Sequence, residues 1–497
     1  MKFKTELLDH QRKAVDKLKK LKVGALFMEM GTGKTRTTLE LINIRLNKER
    51  INHVIWLCPC SVKENLRRDI IKHTGEDQHE LITICGIQTL SSSYKKYTYL
   101  MNMVMNYECY LIVDESSLVK NISAIRTKRI IDLSNICKYK LILNGTPVTR
   151  NEVDLFSQMY ILDWRILGYK SMWSFAANHI EYDEYGKLRR CLNVDYLVEK
   201  IGPYSYQVNK SDCCELPEKT YETIYYSLTK EQNEHYNEVA DIFLSNVDEF
   251  EQTTIYRLFT ALQLVLSGKK IIAHTRKESY INPLTQEIEV VEKIDSVSKE
   301  NFFKNIYDNP RIQILLEIIK GINQKCIIFA KYTEEIKDIV KVINENGKKA
   351  ISYYGELNLK KRQDNINKFS EDVQFLVANK VCAGYGLNLQ FCSYVIFYSN
   401  DFDFGTRSQA EDRVHRIGQE NNVHIIDICA DNKFEERILK CLNNKENLLE
   451  SIKAEIDKNG NVKEAFESWL YVRNNYNGKR KMKRKKAIDK SDLIIKE

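Results

Sequence analysis

Ten short apolar runs, separated by helix-length amphipathic stretches, narrow the folds open to this chain. Toward the amino end they are VGALFM (23–28), VIWLC (54–58), LITIC (81–85), YLIV (110–113) and KLIL (140–143). Toward the carboxyl end they are CIIFA (326–330), AISYY (350–354), FLVA (375–378), VIFY (395–398) and VHIIDI (423–428). Near-continuous apolar runs fit strands covered on both faces, as in parallel sheets. Alternation with helices implies βαβ units with right-handed crossovers. The expectation is an α/β chain with two parallel-sheet lobes, one at each end.

Between about 155 and 310 the pattern changes to long helical stretches, such as TKEQNEHYNEVADIFLSNVDEF, read as insertions between the lobes. YINPLTQEIEVVEK (280–293) reads as a small hairpin around Asn282 and Pro283. The expected divisions are a first lobe over 1–215 with a helical insertion at about 155–205, and an insertion with the hairpin over 216–305. A second lobe over 306–455 and a helical extension with a basic tail over 456–497 complete the chain. A length of 497 residues agrees, being too long for one core.

Composition excludes some classes. Hydrophobic residues make up 43% and charged residues 29%, and no run approaches the roughly 18 apolar residues of a membrane span. The first twenty residues lack a signal-peptide core, so no membrane role and a cytoplasmic location are expected. The 13 cysteines lie mostly in apolar runs, without zinc spacing, and read as reduced thiols. Of the formal charge of +8, KRKMKRKK (479–486) supplies seven, so the body is nearly neutral. Such a tail can hold nucleic acid or stay solvated.

ALFMEMGTGKTRTTLELI runs strand, loop, helix. Gly31 and Gly33, flanking Thr32, free the backbone to wrap phosphate oxygens, and the helix amino end adds its dipole. Lys34 can reach the β- and γ-phosphates of ATP, and the Thr35 hydroxyl can ligate Mg²⁺. The strict P-loop pattern asks for glycine where Met28 stands. In CYLIVDESSLVKN (109–121) an apolar strand delivers Asp114 and Glu115 at its carboxyl end, the ligand edge of a parallel sheet. Asp114 suits Mg²⁺, and Glu115 suits an attacking water. QAEDRVHRIGQ (409–419) sets Gln409, Arg413 and Arg416 at i, i+4 and i+7, which predicts one helix face carrying all three. Two guanidiniums on one face call for something negative.

In order, LLDHQ, MEMGTGKT, LCPCSVKEN, DESSLVKN, LNGTPVTRN, AGYGLNL and QAEDRVHRIGQ closely resemble the superfamily-two helicase ATPases, specifically the Snf-type DNA translocases and remodellers. The resemblance spans about 8–450. It implies two RecA-like lobes and a nucleic-acid-stimulated ATPase that moves along DNA by gripping the backbone. It also implies Arg416 as an arginine finger, Arg413 as its assistant, and Gln409 bonded near the same phosphates. Gln11 would read the adenine, while Gly384 and Gly386 would let the second lobe approach the nucleotide. Gly145 and Thr146 would couple hydrolysis to movement. Ser61, Lys63 and Lys331 would touch the nucleic-acid backbone. Ser117 stands where the family usually has histidine, and NDFDF (400–404) where it usually has Trp-Asn-Pro. With no appended chromatin-reading module in view, a bacterial or phage motor is expected, with possible protein partners in replication, repair or defence. A strand-separating helicase on DNA or RNA and a nucleotide-switched DNA-binding subunit are the alternatives.

Overall fold

The computed structural model describes residues 1–145, 153–182, 188–213, 216–245, 252–281, 288–383, 387–400, 402–444, 451–452, 470 and 485–486. The chain forms two compact units. The first comprises Met1–Leu216 with the short segments Tyr385–Asn388 and Arg416–Gly418. The second comprises Pro217–Gly384, Leu389–His415 and Gln419–Glu497.

In the first unit, β1 (Val23–Met28), β2 (His53–Cys58), β3 (Ile82–Gly86), β4 (Cys109–Val113) and β5 (Tyr139–Asn144) form a parallel sheet. An antiparallel pair, β6 (Ile180–Tyr182) and β7 (Leu188–Cys191), stands apart. β8 (Ser205–Val208) returns to pair with β1, giving the order β3-β2-β4-β5-β1-β8. Side chains alternate between two cores because successive Cβ atoms in a strand point to opposite faces. Ala25, Phe27, Ile55, Leu57, Leu111 and Val113 enter one core, and Leu26, Met28, Val54, Trp56, Tyr110 and Ile112 the other. Both faces are dry, which is why the runs carry no polar alternation.

The second unit repeats the plan. β9 (Lys219–Tyr226) leads into helices Lys230–Ser245 and Gln252–Leu266, then a ribbon of β10 (Lys269–Ile281) and β11 (Ile288–Asn301). The ribbon is longer than the expected hairpin, with strands of 13 and 14 residues. Its sequence is largely polar, so periodicity marks it weakly; the turn itself, with Asn282 and Pro283, lies outside the described residues. β12 (Cys326–Phe329), β13 (Ala350–Tyr353), β14 (Phe375–Ala378), β15 (Tyr394–Phe397) and β16 (Val423–Ala430) follow, and β17 (Lys485–Lys486) comes last. The order is β13-β14-β12-β15-β16-β9-β17, parallel except for β17. Tyr236, Phe243, Phe259 and Leu262 of the two long helices share one core with Ile328, Ile396, Tyr398 and Phe434. Among the described residues no helix is long and apolar enough to cross a membrane.

Candidate functional site

At the carboxyl end of β1 the chain turns through a tight loop into helix Lys34–Asn47. Gly31 and Gly33 take φ of +85° and +90°, which side-chain-bearing residues rarely adopt. The Thr32 amide and hydroxyl donate to the Glu29 carbonyl at 3.3 and 2.7 Å. Glu29 is itself tied to β8, its amide donating to the Val208 carbonyl and its carboxylate accepting from the Lys210 amide. Lys34 opens the helix, and its ammonium donates to the Met28 carbonyl at 2.9 Å. Gly145, just past β5, backs the loop: a side chain there would lie 3.7 Å from the Met30 amide and 3.8 Å from Lys34 Nζ.

Gln11 belongs to this loop. Its amide donates to the Thr32 carbonyl at 3.0 Å, while its oxygen accepts from the Leu8 amide. A side chain on Gly33 would collide with that amide, at 2.1 Å. His10, not singled out in the sequence, sits beside it, and its Nε2 is 2.7 Å from the same Thr32 carbonyl. A carbonyl only accepts, so Nε2 carries the proton. The neighbouring HQ pair in LLDHQ was the available signal.

The acidic turn follows β4. The Asp114 amide donates to the Leu57 carbonyl at 2.7 Å, and its carboxylate accepts from the Glu115 amide at 2.9 Å. Burial, and then the Asp114 charge, push the neighbouring Cys58 thiol far up, so it stays protonated. Glu115 adopts φ +50° and ψ +56°, a left-handed conformation costly for a residue with a Cβ. Such strain persists only where surroundings over-determine it. The buried Ser116 hydroxyl supplies that support by donating to Gln158 Oε1 at 2.6 Å, and Ser157 donates to the Val119 carbonyl. Both partners lie on helix Asp154–Asp163, a buttress invisible to sequence reading.

After β2, Ser61 is exposed and Lys63 half-exposed at the start of helix Lys63–Thr74. The Cys60 amide donates to Gln88 Oε1 at 2.9 Å, joining this turn to the one after β3. A side chain on Gly86 would meet Cys60 Sγ at 2.2 Å and push that thiol aside.

In the second unit Lys331 is held rather than free in solvent. Its ammonium donates to Gln263 Oε1 at 2.7 Å and lies 4.3 Å from the Phe402 ring centre. Its amide donates to Ser399 and to Glu335, whose carboxylate also accepts from the Tyr332 amide and the Ser399 hydroxyl. Gln409 lies on helix Phe404–Glu411, half-buried. That helix ends at Glu411, so Arg413 and Arg416 do not continue its face as their spacing suggested. Asp403 caps the helix start, and at its far end the chain turns, the buried Arg413 accepting the Leu389 amide at its carbonyl. Arg416 belongs to the first unit, where it donates to Asn388 Oδ1 and a side chain on Gly31 would come 3.0 Å from its Cβ. Gly384, Gly386 and Thr146 lie outside the described residues.

The helix's buried guanidinium is Arg407, which sequence reading passed over. It donates to both Asp427 oxygens at 2.7 and 2.9 Å, to Glu411 at 2.9 Å and to Asn400 at 2.7 Å. It also lies 3.5 Å from the Phe397 ring centre. Burial pushes the Glu411 carboxyl up, but Arg407 and Lys219 more than offset it and hold the group ionised. The i, i+4 spacing of Arg407 and Glu411 was legible; Asp427, on β16, was not.

Among the described residues no cluster of three or more His, Cys, Asp or Glu could hold a metal ion. The SNF2-related domain family matches residues 78–277, the helicase conserved C-terminal domain 310–418, and the res subunit of Type III restriction enzymes 4–148. The chain is 24% identical over 466 residues to the uncharacterized ATP-dependent helicase YqhH of Bacillus subtilis, covering 90% of this chain and 80% of that one. It is 25% identical to an uncharacterized ATP-dependent helicase of Mycoplasma pneumoniae, covering 90% of this chain but 42% of the relative. Among solved structures, the Sulfolobus solfataricus SWI2/SNF2 ATPase core in complex with dsDNA is 23% identical, covering 95% of this chain and 98% of that chain, with a TM-score of 0.40. The SNF2-related and helicase C-terminal matches, together with the ordered P-loop, acidic turn and carboxyl-terminal arginines, support a superfamily-two helicase of the SNF2 type, an ATP-dependent enzyme.

Proposed function

We propose that this protein is an ATP-dependent translocase on duplex DNA, moving by backbone contacts with little sequence preference. The observation that carries the reading is the pairing, at one edge of the first sheet, of a phosphate-shaped loop with an acidic turn. The amides of Gly31, Thr32 and Gly33 and the Lys34 ammonium bind the triphosphate of ATP, and Gln11 reads its adenine. A loop held by Gln11 and His10 through one carbonyl transmits adenine occupancy to the phosphates.

Thr35 and Asp114 fit Mg²⁺ as a hydroxyl and a carboxylate completed by phosphate oxygens and water; bound there, the ion would neutralise phosphate charge. Glu115 accepts the proton of the water whose oxygen attacks the γ-phosphorus, and ADP leaves. Arg416 and Arg413 place guanidiniums on the charge that develops, and Gln409 bonds near the same oxygens. Gly384 and Gly386 shape the nucleotide's other boundary, and Gly145 and Thr146 couple hydrolysis to movement. Ser61, Lys63 and Lys331 hold the DNA backbone, a contact that fixes position without reading bases. The bacterial relatives fit a cytoplasmic bacterial or phage motor.

ATPase rates with single-stranded DNA, duplex DNA and RNA test the substrate. Triplex displacement without duplex separation supports translocation, whereas strand separation would establish a helicase. Lys34→Ala, Glu115→Gln and Arg416→Ala are each expected to lower DNA-stimulated turnover by at least about 10³-fold. Wild-type turnover in Arg416→Ala would remove the arginine finger from the account.

A further inference from the structure

The basic run at 479–486 has no part in the ATPase reading, yet the structure gives it an address. Lys485–Lys486 form β17 and pair antiparallel with β9, Lys485 opposite Thr223 and Lys486 opposite Glu222. Among the described residues β17 is all that pairs with the outer edge of β9. An unpaired strand edge leaves a row of backbone donors and acceptors that another strand can take. From β9 a cavity of about 290 Å³ runs inward over the sheet face, past Ile426 and Tyr394 and against helix Pro310–Lys320. Ile224, Ile314, Ile318 and Ile322 supply an apolar floor, and Glu222 and Glu317 add acid. Tyr225 also lines it.

We propose that this edge and its acidic groove are the docking site of the chain's own carboxyl-terminal basic segment, 479–486, anchored through the pairing of Lys485–Lys486 with β9. Backbone pairing supplies the binding, and Glu222 and Glu317 select a cationic strand. Seven positive charges within eight residues complement the acid of that groove. A docked tail is withheld from phosphates, so a polyanion and the groove compete for it. The inference does not depend on the DNA reading.

Hydrogen exchange of the full chain tests it. Successive strand amides point to opposite edges, so of the β9 amides at Glu222 and Thr223 the one that faces β17 is expected to exchange at least tenfold faster in Glu222→Lys/Glu317→Lys, and equally so when the seven cations of 479–486 are replaced by serine. Protection independent of protein concentration supports docking within one chain; protection that grows with concentration would give the groove to a second copy and overturn the proposal. A fluorescent peptide of residues 479–486, added to the serine-tail chain, should bind and lose at least tenfold in affinity on N-methylation at both 485 and 486, one of which carries the amide that faces β9. Equal affinity after methylation, or in the chain carrying both lysine substitutions, would reduce the site to diffuse electrostatics and overturn it. Heparin should release the protection in the wild-type chain; unchanged protection at saturating heparin would refute the competition.

Discussion

Replacing Arg407 by methionine removes one buried charge and leaves its partners in place. Arg407, Asp427 and Glu411 are 5, 6 and 8% exposed, so water cannot take over for the guanidinium. Glu411 keeps Lys219 and the Tyr221 hydroxyl, at 3.2 and 2.9 Å. Among the described residues, the Asn400 side-chain amide, at 2.7 Å, is what remains to the Asp427 carboxylate. Most of the cost therefore falls on Asp427. Breaking a buried ion pair by removing one member costs about 3–5 kcal/mol. With about 1.4 kcal/mol per factor of ten, amides of β15 and β16 should exchange roughly two to three and a half orders of magnitude faster. Methionine keeps a contact with Phe397, so lost packing contributes little. Arg407→Met/Asp427→Leu removes the orphaned charge and is expected to recover most of the loss, because apolar groups of similar volume often replace a buried pair at no cost. Hydrogen exchange and urea unfolding of the three chains measure this. A loss under about 1 kcal/mol in the single variant, or no recovery in the double, would refute the assignment of the network to stability. The same helix leads directly to Arg413 and Arg416, so ATP turnover should fall in the single variant and return in the double.

Glu115→Asn removes the carboxylate while suiting the left-handed turn, so turnover should collapse while stability stays level or rises by about 0.5–1 kcal/mol; retained hydrolysis would exclude Glu115 as the base. Burial, and then Lys72 and Arg36, lower the His73 pKa to about 4 from 6.5. The unfolded chain thus binds the extra proton first as pH falls, and the stability His73 contributes is whole above about 6.5 and lost toward pH 4. The group is only half-buried, so screening reduces the effect to about 1–2 kcal/mol. His73 also meets the Thr5 hydroxyl at 2.8 Å, so the amino-terminal segment should loosen first. Urea midpoints of wild type and His73→Ala between pH 7 and 4 check this, and identical pH slopes would refute it.

Strands buried on both faces were legible: β2 and β4 are wholly buried and read as unbroken apolar runs. β8 and β9 were not, because edge strands are half-exposed and their sequences, SYQV and KTYETIYY, mix polar and apolar residues. The P-loop was legible because glycine spacing is a local backbone requirement. The arginines were legible as residues but not as a helix face, since the turn after Glu411 depends on contacts the spacing does not encode.

Two parallel sheets and the loop that follows the first strand are written locally in the chain, because burial period and glycine backbone freedom act over a few residues. Which groups support them depends on long-range packing. Ser116 leans on Gln158, Lys331 on Gln263, Arg407 on Asp427 and Lys485–Lys486 on β9, partners 42, 68, 20 and more than 250 residues away. Such pairings follow from where the fold brings distant segments together, and no periodicity along the chain records them.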